Sequence, residues 1–181
     1  MMNNGISTVF QPARFMPAFN RTLRFEDSVP PGRVQVDNNG ADVCRGINQA
    51  SYPEYFSLSN PLRLTLAGAV QIYEAIWDGD HIPLLADVIQ DTANQVFDMA
   101  FNAGPSWGPR CLQEACNALG CTLTVDGNLG PLTAAAANAQ DPVKLLAAVR
   151  EARIERYESI EARNIALKPW LPVWIDRVNA A

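Results

Sequence analysis

A glycine-containing turn at residues 126–133, read together with residues 97–104, constrains the fold more than any other feature of this chain. The turn reads Asp-Gly-Asn-Leu-Gly-Pro-Leu-Thr, in which glycines permit positive φ and the proline and threonine can open the alanine-rich helix that follows. Residues 97–104 place Asp98 and Asn102 on one helical face and end at a glycine. We therefore expect a buried central helix here. Its apolar residues should be largely enclosed by the surrounding helices: Val96, Phe97, Ala100 and Phe101.

Hydrophobic periodicity predicts a mainly α protein. Leu66, Val70, Tyr73 and Trp77 recur at helical steps, and Asp141 followed by Pro142 has the form of a helix start. Residues 28–46 are instead rich in Pro, Gly, Asp and Asn, which predicts a loop or short β-hairpin. Helices are expected at residues 17–25, 63–77, from about 84 to 103, at 109–119, and from 142 onward.

Composition excludes several classes of function. The net charge of −5 and a pI near 4.8 argue against a nucleic-acid-binding protein, which normally has a basic surface. The chain shows no apolar run of the roughly 18 residues that a membrane span needs. Near the N-terminus, Arg14, Arg21 and Arg24 interrupt any apolar segment, so we expect no secretory signal.

The four cysteines do not have the paired spacing of a zinc site, and His81 is the single histidine. We therefore expect no metal and no cofactor. Cys111 and Cys116 diverge on a predicted helix and are interpreted as small buried side chains. A disulfide that involves Cys121 is left open.

The run from Phe97 to Thr133, "FDMAFNAGPSWGPRCLQEACNALG…VDGNLGPLT", resembles the phage and bacterial muramidases of glycoside hydrolase family 108. Their C-terminal half is described as a peptidoglycan-binding region. The resemblance implies a lysozyme-like helical fold with a small β-hairpin or loop lobe. It implies a catalytic lobe at 15–104 and a helical lobe at 105–181, joined in one integrated fold. Residues 1–14 are polar and irregular, so we expect a loose arm there.

The same resemblance extends to the end of the first helix, where the family has its catalytic glutamate. "FED" stands in place of the family's "EGG", so Glu26 matches the general acid. "VDNNGADVCRGIN" resembles the loop that ends in "TxxGIT". Asp37 is the nearest candidate for a second carboxylate, although the alignment could place Asn38 there instead.

This chain departs from the family pattern around that loop. Asp27 and Ser28 replace the two glycines after the glutamate, and Val43 occupies the threonine position, while Gly46 is retained. A valine cannot hydrogen-bond a nucleophilic water, and loss of the glycines changes how closely backbone can approach a sugar.

Four further residues are candidates for substrate binding, and each has a structural alternative. Tyr73 and Trp77 could stack on a sugar ring or belong to the core. Asp98 and Asn102 could contact a glycan or form a polar scaffold, because a buried aspartate needs hydrogen-bond partners.

The C-terminal part carries two more expectations. Trp170 and Trp174, with Arg177, resemble the family's closing "GWxxR" element and should pack the tail onto the body. In the helix after Asp141, the charged flank that includes Arg153 and Arg156 is interpreted as solvated. Its inner stripe is predicted to consist of Val143, Leu146, Ala147, Ile154 and Tyr157.

The resemblance implies an N-acetylmuramidase that cleaves the β-1,4 bond between N-acetylmuramic acid and N-acetylglucosamine, with peptidoglycan glycan strands as its partner. Glu26 would be the general acid and Asp37 would assist. Two alternatives stay open: a non-catalytic peptidoglycan-binding or virion protein, and a lytic transglycosylase that uses one glutamate. Such a protein would be made in the cytoplasm and act on the wall after release, or be carried in a virion. The sequence does not indicate an oligomeric state.

Overall fold

A computed structural model describes residues 10–27, 31–36, 40, 42–56 and 64–180. Within these ranges the chain forms seven α-helices and a small antiparallel sheet of three strands, which confirms the mainly α class. The helices are α1 (Phe15–Glu26), α2 (Leu66–Gly79), α3 (Gln90–Ala103), α4 (Trp107–Ala118), α5 (Pro131–Asn138), α6 (Pro142–Arg163) and α7 (Leu171–Asn179). The strands are β1 (Gln35–Val36), β2 (Asp42–Cys44) and β3 (Ile47–Asn48). None of the described helices is both long and apolar enough to span a membrane.

Helix α3 is the central element, as predicted. Residues 92–100 are all buried, and α1, α4 and α6 pack around the helix. Gly108 of α4 permits the close contact with α3, because a Cβ there would lie 2.2 Å from the carbonyl oxygen of Val96. The main core cluster draws side chains from both sides of the break at Gly104, so the two halves share one interior.

The β-sheet forms the short hairpin lobe expected between α1 and α2. Gln35 pairs with Val43 and Cys44 pairs with Ile47, both in antiparallel register. The turn between β2 and β3 consists of Arg45 and Gly46, which both have positive φ. This turn brings the lobe back against the end of α1.

The turn before α5 is held by the side chain of Gln113. Its amide nitrogen donates to Asp126 Oδ1 at 2.7 Å, and its Oε1 accepts from the Gly127 N–H at 2.9 Å. Gly127 has the expected positive φ of 82°, whereas Gly130 is extended at −96°. Pro131 opens α5, as predicted.

Helix α6 begins as expected but presents a different inner face. Asp141 caps it by accepting hydrogen bonds from the two backbone N–H groups at residues 143 and 144, both at 3.0 Å. The predicted inner stripe is wrong at Val143, which is 77% exposed, and correct at Tyr157, which is buried. The buried face steps by four instead, through Leu145, Val149, Arg153 and Tyr157.

The two ends of the chain also correct the sequence-based expectations. Residues 1–9 lie outside the described part, but the rest of the predicted arm is bonded to the body: the Ala13 N–H donates to the Leu85 carbonyl at 2.7 Å. At the other end, Trp174 stacks on Tyr157 with ring centroids 5.2 Å apart. Trp170 is 56% exposed, so the expectation that both indoles pack is only half correct.

All four cysteines lie in the described part, and each has a free thiol. Cys111 and Cys116 are buried, as predicted. Burial raises the pKa of the Cys111 thiol to about 12 and that of Cys116 to about 11. Both thiols are therefore protonated at neutral pH and behave as small apolar side chains.

Candidate active site

Glu26 is the last residue of α1, where the helix meets the hairpin lobe. The helix ends there because Asp27 has an extended backbone (φ −92°, ψ 116°). The buried face of α1, which includes Phe19 and Thr22, fixes the helix against the core. The Glu26 side chain is 17% exposed, so it is shielded but still reached by solvent.

A cleft of about 290 Å³ opens beside Glu26, between the end of α1 and the sheet. We call it the hairpin cleft. Glu26 is the one acidic side chain among the described residues that line it, and Arg33 and Arg45 supply positive charge. The described lining consists of Phe25, Glu26, Arg33, Gln35, Val36, Val43, Arg45 and Gly46. A concave, mixed polar and apolar site with one shielded carboxylate suits acid–base chemistry on a bound ligand.

Gly46 allows the hairpin turn to approach the Glu26 carboxylate. Its φ is +73°, and a Cβ at this position would lie 2.8 Å from Glu26 Oε2. Glycine is therefore required both by the backbone conformation and by the available space. The sequence match at Gly46 thus has a direct physical reason.

Asp27 ties the hairpin lobe to α1. Its carboxylate forms an ion pair with Arg45, and Oδ1 accepts a hydrogen bond from the Gly32 N–H at 2.6 Å. The Arg45 carbonyl in turn accepts from the Tyr73 hydroxyl at 2.8 Å. Asp27 stands where the muramidases of glycoside hydrolase family 108 have a glycine, and its ion pair and hydrogen bond give it a structural role in this chain.

Arg177 of α7 holds the Glu26 carboxylate. Its Nη2 lies 2.7 Å from Glu26 Oε1. The same guanidinium also binds Asp98, with Nη2 at 2.9 Å from Oδ1 and Nε at 3.0 Å from Oδ2. One arginine thus joins a carboxylate at the cleft to a carboxylate in the core.

Asp98 is the centre of a buried arginine cluster, formed with Arg21, Arg153 and Arg177. Arg153 Nη2 lies 2.6 Å from Asp98 Oδ2, and Arg21 Nη1 lies 3.2 Å from the same oxygen. Burial alone would raise the pKa of Asp98, but the surrounding guanidinium groups, led by Arg153 and Arg177, hold it well below its usual range. Asp98 therefore stays ionised and acts as a scaffold.

The other sequence-predicted site residues that the structure describes do not converge on the hairpin cleft. Tyr73 and Trp77 are 0% and 3% exposed within the core, which contradicts their interpretation as sugar-stacking residues. Asp98 has no exposed surface, so it cannot contact a glycan. Asn102 is exposed and accepts a hydrogen bond from the Tyr157 hydroxyl at 3.0 Å, which places it beside α6. Asp37 lies outside the described residues.

The arginine cluster is not predicted by the sequence pattern. The charge pattern of α6 indicates a solvated face for Arg153, yet this side chain is completely buried. Two signals were present. Arg153 continues the four-residue steps of the buried α6 face, and Asp98 is an acid among the apolar residues of 96–101, where a buried carboxylate needs a cation. Arg177 was noted only as part of the tail.

The described residues contain no group of three or more His, Cys, Asp and Glu side chains able to hold a metal ion. The carboxylates that converge do so on arginines, as Asp98 and Glu26 do on Arg177.

Comparison with known proteins relates the C-terminal part of this chain to peptidoglycan. Residues 108–179 match a family model described as a predicted peptidoglycan domain. The structure of SagA from Brucella abortus is similar with a TM-score of 0.69 and 19% sequence identity, over 91% of this chain and 89% of SagA. At that identity the likeness shows a shared fold. No curated protein sequence matches the chain.

The matched segment begins in α4 and ends in α7, so it contains both Arg153 and Arg177. These residues reach across to Asp98 of α3 and Glu26 of α1. The peptidoglycan-related segment and the hairpin cleft therefore belong to one physical unit. The assignment to glycoside hydrolase family 108 stays a prediction.

Proposed function

We propose that this protein acts on peptidoglycan and cleaves the β-1,4 glycosidic bond between N-acetylmuramic acid and N-acetylglucosamine. The observation that carries the proposal is the position of Glu26, which lies at the end of α1 in the hairpin cleft and is held by Arg177. The match of residues 108–179 to a predicted peptidoglycan domain supports the substrate class. As a muramidase, the protein would act at the cell wall after release from the cytoplasm, or from a virion.

In the proposed reaction, Glu26 carries its proton on Oε2, the oxygen that Arg177 does not contact, and donates it to the glycosidic oxygen as the bond from that oxygen to C1 breaks. The bonding electron pair stays with the leaving oxygen, which becomes the free 4-hydroxyl of N-acetylglucosamine. Water adds to the oxocarbenium-like C1 and releases a proton, which leaves a reducing N-acetylmuramic acid end. Glu26 returns to its protonated form by taking up that proton.

A lytic transglycosylase is the second candidate. Glu26 is the one carboxylate among the described lining residues of the hairpin cleft, and a single glutamate is enough for this reaction. Here the 6-hydroxyl of the same N-acetylmuramic acid attacks C1, and its proton returns to Glu26. The product is a 1,6-anhydro sugar, and no water is consumed.

Mass spectrometry of digested sacculi tests these functions together. Purified protein is incubated with purified sacculi, and the soluble products are analysed with and without borohydride reduction. Reducing N-acetylmuramic acid ends support the hydrolase, and 1,6-anhydro ends support the transglycosylase. An absence of soluble products, with protein retained on pelleted sacculi, would overturn cleavage and support a non-catalytic peptidoglycan-binding protein.

A further inference from the structure

Arg177 is the one residue that contacts both Glu26 and Asp98 among the described ion pairs. Its Nε and Nη2 engage the two oxygens of Asp98, and Nη2 also lies 2.7 Å from Glu26 Oε1. Two-pronged pairing of this kind fixes the plane of the guanidinium as well as its distance. The direction from which Glu26 is contacted is thereby determined from inside the core.

The end of α7 that carries Arg177 is itself fastened to the neighbouring helices. The Arg177 carbonyl accepts a hydrogen bond from Arg21 Nη2 at 2.7 Å. One residue further, the Val178 carbonyl accepts from Gln95 Nε2 at 2.9 Å. These bonds reach α1 and α3, so backbone and side chain of Arg177 are both held.

On the other side, the turn of the hairpin confines the same carboxylate. A Cβ at Gly46 would lie 2.8 Å from Glu26 Oε2, so the turn passes close to this oxygen. Arg177 contacts the other oxygen, Oε1. The two oxygens therefore have different neighbours, one a guanidinium and the other a backbone turn. Such an arrangement limits rotation of the carboxylate.

We propose that Arg177 is a positioning residue for the Glu26 carboxylate, with buried Asp98 as its anchor. This inference rests on the proposed cleavage of glycan strands. It means that a helix within the segment matching the peptidoglycan domain serves the chemistry of the hairpin cleft. Lysine cannot replace arginine here, because one ammonium group cannot reproduce a planar fork that pairs with Asp98 and still reaches Glu26.

The test is a comparison of Arg177→Lys, which keeps the charge, with the wild type and with Arg163→Lys as a matched control. Arg163 is exposed in the last turn of α6. Initial rates are measured on soluble glycan strands released from sacculi, and folded protein is quantified by circular dichroism. We expect Arg177→Lys to lower kcat about 100-fold with KM changed less than about threefold, because small misplacements of a reacting group have effects of that size. Arg163→Lys should match the wild type.

Retention of kcat within about threefold by folded Arg177→Lys would overturn the inference while leaving the proposed function intact. Absence of cleavage by the wild type would instead overturn the proposed function. If Arg177→Lys does not fold, ¹⁵N NMR of the arginine side chains compares wild type with Glu26→Gln. We expect the Arg177 Nη signals to shift or broaden in Glu26→Gln, and unchanged signals would contradict the positioning contact.

Discussion

The two carboxylates that share Arg177 lie in contrasting surroundings. Asp98 is completely buried and paired with three arginines, whereas Glu26 is 17% exposed in the hairpin cleft and paired with one. The contrast separates two tasks. The arginine cluster holds four helices together. The hairpin cleft keeps the Glu26 carboxylate, which is paired with Arg177 of that cluster, accessible to a ligand.

The largest expected effect comes from substituting Asp98, the buried one of the two carboxylates. Asp98→Asn removes the charge that three buried guanidinium groups share, and of these Arg177 keeps its pairing with Glu26. This loss should cost about 3–5 kcal/mol of unfolding free energy. The melting temperature should fall by roughly 10 °C or more. Glu26→Gln should cost less than about 1 kcal/mol, because Arg177 keeps its pairing with Asp98 and the Glu26 side chain is still partly reached by solvent. Thermal unfolding followed by circular dichroism measures both, and equal losses would contradict the division of tasks.

The tail that carries Arg177 offers a second, smaller test. Trp174 stacks on Tyr157, whereas Trp170 is largely exposed on the same tail. Trp174→Ala should lower the unfolding free energy by about 2 kcal/mol, because it removes a packed indole. Trp170→Ala should change it by less than about 0.5 kcal/mol. Denaturant titration of the two variants checks this, and similar losses would show that the described packing is wrong.

On the cleft side, two glycines form a matched pair. Gly46 and Gly40 both have positive φ, but a Cβ at Gly40 would contact nothing within 4 Å, whereas one at Gly46 would meet Glu26. Each Ala variant should lose about 1–2 kcal/mol of stability from backbone strain. Only Gly46→Ala should also lose activity, by about 10-fold or more, because it displaces the carboxylate. Equal activity in folded Gly46→Ala and Gly40→Ala would contradict the placement of Glu26.

The smallest effect concerns Asp80, a half-buried carboxyl without an arginine. Burial raises its pKa to about 6, although His81 opposes the shift. The folded state therefore binds the proton more tightly than the unfolded state, and stability falls as pH rises from about 4 to 6. Asp80→Asn should be about 1 kcal/mol more stable than wild type at pH 7 but not at pH 4. Melting curves of both proteins at both pH values measure this difference in stability. A difference that does not change with pH would contradict the raised pKa of Asp80.

Local patterns predicted the parts of the fold that depend on neighbouring residues in sequence. The apolar density around Phe97 predicted the central helix, and Asp141 with Pro142 predicted the start of α6. Pairing between distant elements was not visible. Arg153 was taken for a surface residue because its counter-charge, Asp98, lies 55 residues away in sequence. The aromatic pair Tyr73 and Trp77 has the same spacing whether it packs a core or binds a sugar.

The candidate site could be predicted only in part, because it also depends on pairing between residues that are distant in sequence. Glu26 could be located from the end of α1 and the resemblance of the loop that follows. Its partner Arg177 lies at the opposite end of the chain, and only the folded structure brings the two together. The role of Asp27 was also hidden, because an aspartate in place of a glycine gives no sign that it will pair with Arg45.

Sacculus hydrolysis by wild type and Glu26→Gln tests the central claim most directly, with Glu74→Gln, an exposed glutamate on α2, as the matched control. Glutamine keeps the shape of Glu26 but cannot deliver a proton. The account predicts that Glu26→Gln loses at least about 100-fold in rate while its melting temperature and retention on sacculi stay close to wild type. Glu74→Gln should remain fully active. An active wild type with a Glu26→Gln variant that retains more than about a tenth of its rate would contradict the assignment of Glu26 as the general acid.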